Sequence, residues 1–154
     1  MRTYFLDSSA IVKRYVGEKG HAWVVTLCNP AHDHELYISQ IALVEVVRAI
    51  CIKAHDKLIT NADRDRLVTL FRRDSQSAYG VLPLTDSVCT YAGDLCYSHR
   101  LRSYDAVQLA SVLVLRRETL LKRASPPIFV TADRGLITFA TMEGLTIENP
   151  ENYP

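Results

Sequence analysis

The chain has 154 residues, with 18 Lys and Arg against 17 Asp and Glu, a formal charge of +1. That length fits one domain spanning 1–154, large enough to bury a core without disulfides or structural metal. Hydrophobic residues at 48% and charged residues at 23% exclude a disordered or collagen-like chain, and the near-neutral charge gives no global sign of a nucleic-acid binder.

Residues 3–6 form a short β-rich run ending at Asp7, and 8–15 read as a short helix capped by a serine. Residues 21–28 are an apolar helix stopped by Asn29 and Pro30, and 36–39 a strand. A long apolar helix over 40–54 carries charge only at Glu45, Arg48 and Lys53. Residues 61–77 read as a charged, exposed helix with Leu67, Val68, Leu70 and Phe71 as its apolar stripe. A strand over 81–84 precedes an amphipathic helix over 86–99, on which Cys89 and Cys96 are expected to share the buried face of Val88, Ala92 and Leu95. Ser103 caps the next helix, which runs through Val107, Leu109, Ala110, Val112 and Leu113. A strand over 128–131, a helix over 136–142 and a strand over 145–147 complete the chain. The longest stretch without formal charge, 20–32, has 13 residues, short of the roughly 20 apolar residues of a membrane span. No C-x-x-C pair occurs among the four cysteines, so a cytoplasmic protein with reduced thiols is expected.

Strands that are short continuous apolar runs, alternating with helices, predict an α/β fold in three layers. Its centre is a mostly parallel sheet of four to five short strands covered by helices on both faces. Such folds bind ligands beyond the carboxyl ends of their strands. Asp7 and Asp133 follow strands there, on one rim. Glu45 sits in the run Ile41 to Val47, where a lone carboxylate is costly to bury unless it reaches solvent, pairs with Arg48, or meets a cation. Asp105 opens an apolar helix, a position the helix dipole also explains, and Asx turns or caps equally explain Asp7 and Asp133. Together, four acids able to reach one pocket repel one another without a cation. Hard oxygen donors of this kind suit Mg²⁺ or Mn²⁺, the ions of phosphodiester chemistry.

The segments FLDSSAIVKRY at 5–15, ISQIALVEVVRAI at 38–50, LRSYDAVQLASV at 101–112, FVTADRGL at 129–136 and EGLTIENP at 143–150 resemble those of PIN-domain nucleases, and among them the VapC-type toxins of toxin–antitoxin pairs. No one motif is very specific; their order and spacing are. The resemblance implies that Asp7, Glu45, Asp105 and Asp133 are the catalytic acids and ligate one or two Mg²⁺ or Mn²⁺ ions, with Asp133 the least constant of the four. It implies endoribonucleolytic cleavage leaving a 5′-phosphate and a 3′-hydroxyl, a small antitoxin protein as partner, and a homodimer. Ser8 and Thr131 match small polar positions that orient a ligand or water from behind; ordinary turn chemistry explains them as well. Arg2, Lys13, Arg14, Arg48, Lys53, Arg100 and Arg102 are candidate RNA contacts, each otherwise a solvated charge. The stretch 116–127 is longer than such families usually carry there, predicting an extended helix or a basic protrusion.

Other readings fit less well. A response-regulator receiver needs paired acids after its first strand and a late lysine, and a dehalogenase-type phosphatase needs Asp-x-Asp where this chain has Asp7, Ser8 and Ser9. A housekeeping PIN-domain RNA-processing nuclease and a non-catalytic PIN-like RNA- or protein-binding module remain as alternatives. Setting the four acids aside leaves 13 acidic residues against 18 basic ones, so the neutral total is compatible with a phosphate-attracting surface around an acidic pocket.

Overall fold

A computed structural model describes residues 1–154. Five strands, β1 (Thr3–Leu6), β2 (Glu35–Ser39), β3 (Gly80–Leu82), β4 (Ile128–Val130) and β5 (Thr146–Glu148), form one sheet in the order β3-β2-β1-β4-β5. Every pairing is parallel. Parallel strands need crossovers, and helices supply them: α1 (Ser8–Ile11), α2 (His21–Leu27), α3 (Ala42–His55), α4 (Asn61–Ser77), α5 (Asp86–Ser98), α6 (Ser103–Leu121) and α7 (Arg134–Met142). This is the three-layer α/β architecture that the sequence predicts.

The two-residue alternation of a strand distributes the central side chains between two cores. Tyr4, Leu6 and Val130 enter a core of 19 buried residues with α1 to α4. Phe5 and Phe129 point the other way, into a core of 14 with α5 to α7, and their rings meet at 5.8 Å. Because both faces are covered, the strands read as continuous apolar runs. Helix α4 starts with a reciprocal cap: Thr60 Oγ1 accepts from Asp63 N–H at 3.0 Å, and the Asp63 carboxylate accepts from Thr60 N–H at 3.2 Å. Gly20 is required at the entry to α2. It lies at φ 84°, and a Cβ there would come within 2.4 Å of the Pro150 carbonyl oxygen. No helix is long and apolar enough to cross a membrane.

Three expectations need correction, and one pair of alternatives is decided. Cys89 and Cys96 are exposed rather than buried with Val88, Ala92 and Leu95; their spacing of seven falls beside the apolar face, not within it. Ser103 is the first residue of α6, and no side chain caps that helix. Helix α4 buries Leu67 and Phe71 of its expected apolar stripe, but it also buries Asp74, from the face expected to be charged and exposed. The 116–127 stretch resolves as an extension: α6 continues to Leu121 and ends where Arg123 turns left-handed at φ 58°. Arg116 Nη1 donates to the Glu143 carbonyl at 2.9 Å and anchors this extension to the end of α7.

Candidate active site

Strand order reverses between β1 and β4, because the chain leaves β1 toward β2 on one side and returns through β4 on the other. A crevice opens at the carboxyl ends of strands at such a switch point. Asp7 and Thr131 are the first residues beyond those two strand ends. Asp7 N–H still donates to the Val130 carbonyl at 3.0 Å, so the ladder sets its position.

Asp7 caps α1, Oδ1 accepting from Ala10 N–H at 2.9 Å. Ser9 Oγ donates to Oδ1 at 2.8 Å and Thr131 Oγ1 to Oδ2 at 2.8 Å. Each hydroxyl also accepts a backbone N–H, Ser9 from Ala132 at 2.9 Å and Thr131 from Asp133 at 3.1 Å. The turns after β1 and β4 are thus sewn together around one carboxylate. Capping and site placement are the same fact here: the α1 cap is Asp7 itself, and the serines do not displace it.

Asp7 is 4% exposed. Its pKa is pushed up to about 7, mainly by burial; the Ser9, Thr131 and Ala10 hydrogen bonds oppose the rise and Glu45's charge adds a little to it. No Lys, Arg or His forms an ion pair with Asp7, Glu45, Asp105 or Asp133.

Glu45 is half-buried one turn into α3. Its Oε2 accepts from Ser8 Oγ–H and, at 2.7 Å, from Gln108 Nε2. Gln108 Nε2 also reaches Ser8 Oγ at 2.8 Å. Two donors therefore hold one carboxylate oxygen, and α1, α3 and α6 are locked together. Gln108 is 2% exposed and its Oε1 has no partner.

Asp105 lies in the first turn of α6; burial raises its pKa, then Asp133 and Glu45 add to the rise, while Arg102 lowers it. Asp133 caps α7 through Leu136 N–H at 2.8 Å. Glu45 and Asp105 line one cleft of 360 Å³ with Arg48 and Arg102. Asp105 and Asp133 line a second of 460 Å³ with Arg100, Arg102 and Arg134. The structure thus brings the four acids into one electrostatic neighbourhood, although no three of its His, Cys, Asp or Glu side chains form a closed metal-ligating group.

Ser8 and Thr131 stand behind Glu45 and Asp7 respectively. Ser9 and Gln108 escape sequence reasoning. The one signal for Gln108 was an amide within the apolar stretch of 106–115; Ser9 had none beyond adjacency. Three of the seven candidate RNA contacts are corrected. Lys13 is buried and bonds Glu151 at 3.0 Å and Glu18 at 3.6 Å. Lys53 pairs with Glu18. Arg14 binds Asp74 and Tyr79. Arg48, Arg100 and Arg102 are exposed beside the acids.

The profile described as "PIN domain" matches residues 4–140. No curated protein matches the chain in sequence. Among solved structures, the chain is similar to VapBC from Salmonella typhimurium bound to DNA, at TM-score 0.63 and 13% identity over 97% of this chain and 99% of that one. It is similar to VapBC2 from Rickettsia felis, bound to a fragment of its promoter, at TM-score 0.59 and 16% identity over 96% and 98%. A toxin–antitoxin complex from Klebsiella pneumoniae matches at TM-score 0.57 and 17% identity over 96% and 97%.

Proposed function

The chain belongs to the PIN-domain family, and from that premise we propose that it is a divalent-metal-dependent endoribonuclease, the toxin of a toxin–antitoxin pair of VapC type. The observation that carries this reading is Asp7, a carboxylate 4% exposed that no cation of the chain pairs with, at the crevice of the sheet. A buried charge of this kind is costly unless an ion compensates it. Glu45 and Asp105 each contribute further negative charge nearby.

The donor set fits Mg²⁺ or Mn²⁺, because every candidate ligand is a hard carboxylate oxygen. Asp7, Glu45 and Asp105 would hold the ion, with Asp133 completing the site or serving a second. Once bound, such an ion polarises a phosphoryl oxygen and makes water a better nucleophile near neutral pH.

The remaining work falls to the chain itself. Ser9 and Thr131 donate to Asp7 and oppose its protonation. Ser8 and Gln108 saturate Oε2 of Glu45 and leave Oε1 as the oxygen able to face a ligand. Arg48, Arg100 and Arg102 draw the RNA backbone toward acids that would otherwise repel it. The toxin–antitoxin relatives support a small antitoxin protein as partner, a homodimer is part of the same reading, and the work proposed is cytoplasmic.

Structured RNAs incubated with the protein in Mg²⁺ and in EDTA test the proposal. Cleavage is expected only with metal and only from wild type, not from Asp7→Asn or Asp105→Asn. Undiminished cleavage by either variant contradicts it.

A further inference from the structure

The cleft shared by Glu45 and Asp105 has a second wall, of which the proposed reaction uses only the two arginines. Arg48, Arg102, Tyr104 and Val44 line it, and the last two stand in water, Tyr104 at 59% exposure and Val44 at 66%. One exposed apolar side chain is ordinary on a protein surface. Here an aromatic ring and an aliphatic side chain border the same cavity as two guanidinium groups and two of the proposed catalytic acids. The volume, 360 Å³, lies at the small end of the roughly 300–1,000 Å³ typical of ligand sites.

A nucleotide combines a flat π-face with an anionic phosphate, and this wall offers a counterpart to each. Aromatic rings stack bases with little regard to sequence, and arginine forks hold phosphate oxygens bidentately. We propose that this cleft is a nucleotide subsite beside the scissile bond, where one unpaired base stacks on Tyr104 against Val44 and its phosphate is held by Arg48 and Arg102. The inference rests on the proposed nuclease reading and adds to it the residues that hold one base beside the acids. A base lying on Tyr104 has left its helix, so the RNA is single-stranded at that nucleotide. Tyr104 immediately precedes Asp105 on α6, which fixes the stacked base one residue from a proposed metal ligand. The ring is exposed and its loss leaves the core intact.

The test uses the full chain, a fluorescein-labelled random-sequence 20-nucleotide RNA pool, and the same pool annealed to its complement. Binding is read by anisotropy in Mg²⁺ on the Asp7→Asn background, so that the probe survives. Tyr104→Ala should weaken single-strand binding by about 5- to 50-fold. Tyr104→Phe should bind like the parent, the thermal midpoint should not move, and the annealed pool should bind more weakly than the free strand. In the wild-type background, Tyr104→Ala should raise KM more than it lowers kcat. Equal RNA binding by the Tyr104→Ala protein, equal affinity for the duplex, or no RNA binding by the parent protein overturns the subsite. Active Asp7→Asn protein would instead overturn the reaction on which it rests, and the two failures are read in separate assays.

Discussion

Asp7 and Asp74 are buried almost equally, at 4% and 5% exposure, yet the chain treats them in opposite ways. Asp74, on α4, meets Arg14 Nη2 at 3.3 Å and Arg73 Nη2 at 3.1 Å, and accepts from the Tyr15 hydroxyl at 3.1 Å. Tyr15 in turn lies 2.8 Å from the Tyr79 hydroxyl, which also accepts from Arg14. Asp7 receives only neutral donors, namely two hydroxyls and an amide, and faces Glu45's charge. A buried carboxylate that serves the fold brings its counter-charge from the same chain. Asp7, on the proposed reading, is held in place by neutral dipoles and keeps its charge for an ion.

The largest separation between the two regions should appear on replacing each acid. Asp7→Asn should lower metal-dependent RNA cleavage by about a hundredfold or more, since it removes a charge the ion needs. It should also raise the thermal midpoint of the metal-free protein at pH 8 by about 3 °C, because an uncompensated buried charge is gone. Asp74→Ala should do the reverse. It leaves the half-buried Arg14 without its partner, which costs about 2–4 kcal/mol; chemical denaturation reads that loss while cleavage by the folded protein stays at the wild-type level. If both variants lost activity in proportion to stability, the contrast would collapse.

Gln108 sharpens the comparison within the site. Gln108→Leu removes a donor to Glu45 and also the unpartnered Oε1, so stability should change little. The metal concentration for half-maximal cleavage should rise about tenfold, with the rate largely recovered at saturating metal. A lower midpoint with unchanged metal dependence would make Gln108 a packing residue.

The sequence tells the two regions apart only in part. Asp7, Glu45, Asp105 and Asp133 stand out because a carboxylate is conspicuous at a strand end or in an apolar helix. The strands β1, β2 and β4 are equally legible as short apolar runs, since burial on both faces leaves no charged position in 4–6, 36–38 or 128–130. What escapes is whatever depends on distant parts of the chain. Lys13 looks like a surface charge because its partner Glu151 lies 138 residues away. Asp74 looks solvated because Arg14 and Tyr15 approach it from α1's end of the chain. Ser9 becomes informative only when β4 lays Thr131 and Ala132 beside it.

Smaller effects follow from protons. In the metal-free fold, the pKa of Asp7 rises to about 7 from an ordinary 3.8, so the folded state holds its proton more tightly than the unfolded chain does. That contribution is fully present below pH of about 4 and is lost as pH climbs through about 7. Midpoints recorded in EDTA should therefore fall over this window more steeply in wild type than in Asp7→Asn, and parallel slopes would show Asp7 to be solvated. Lys13→Ala should cost about 1 kcal/mol or less through the partly exposed Glu151, since Glu18 keeps Lys53, without altering RNA affinity. A selective loss of RNA binding would return Lys13 to the substrate surface.

The most direct test of the contrast is calorimetric titration of the metal-free protein with Mn²⁺ at pH 6 and pH 8, in buffers of different ionisation heat. Wild type should bind, more tightly at pH 8, and release protons at pH 6 as the ion displaces them from Asp7. Asp74→Ala should bind in the same way and Asp7→Asn should not. Absence of binding at millimolar Mn²⁺, or binding that Asp7→Asn leaves intact, would contradict the assignment of Asp7 as a carboxylate kept for a metal.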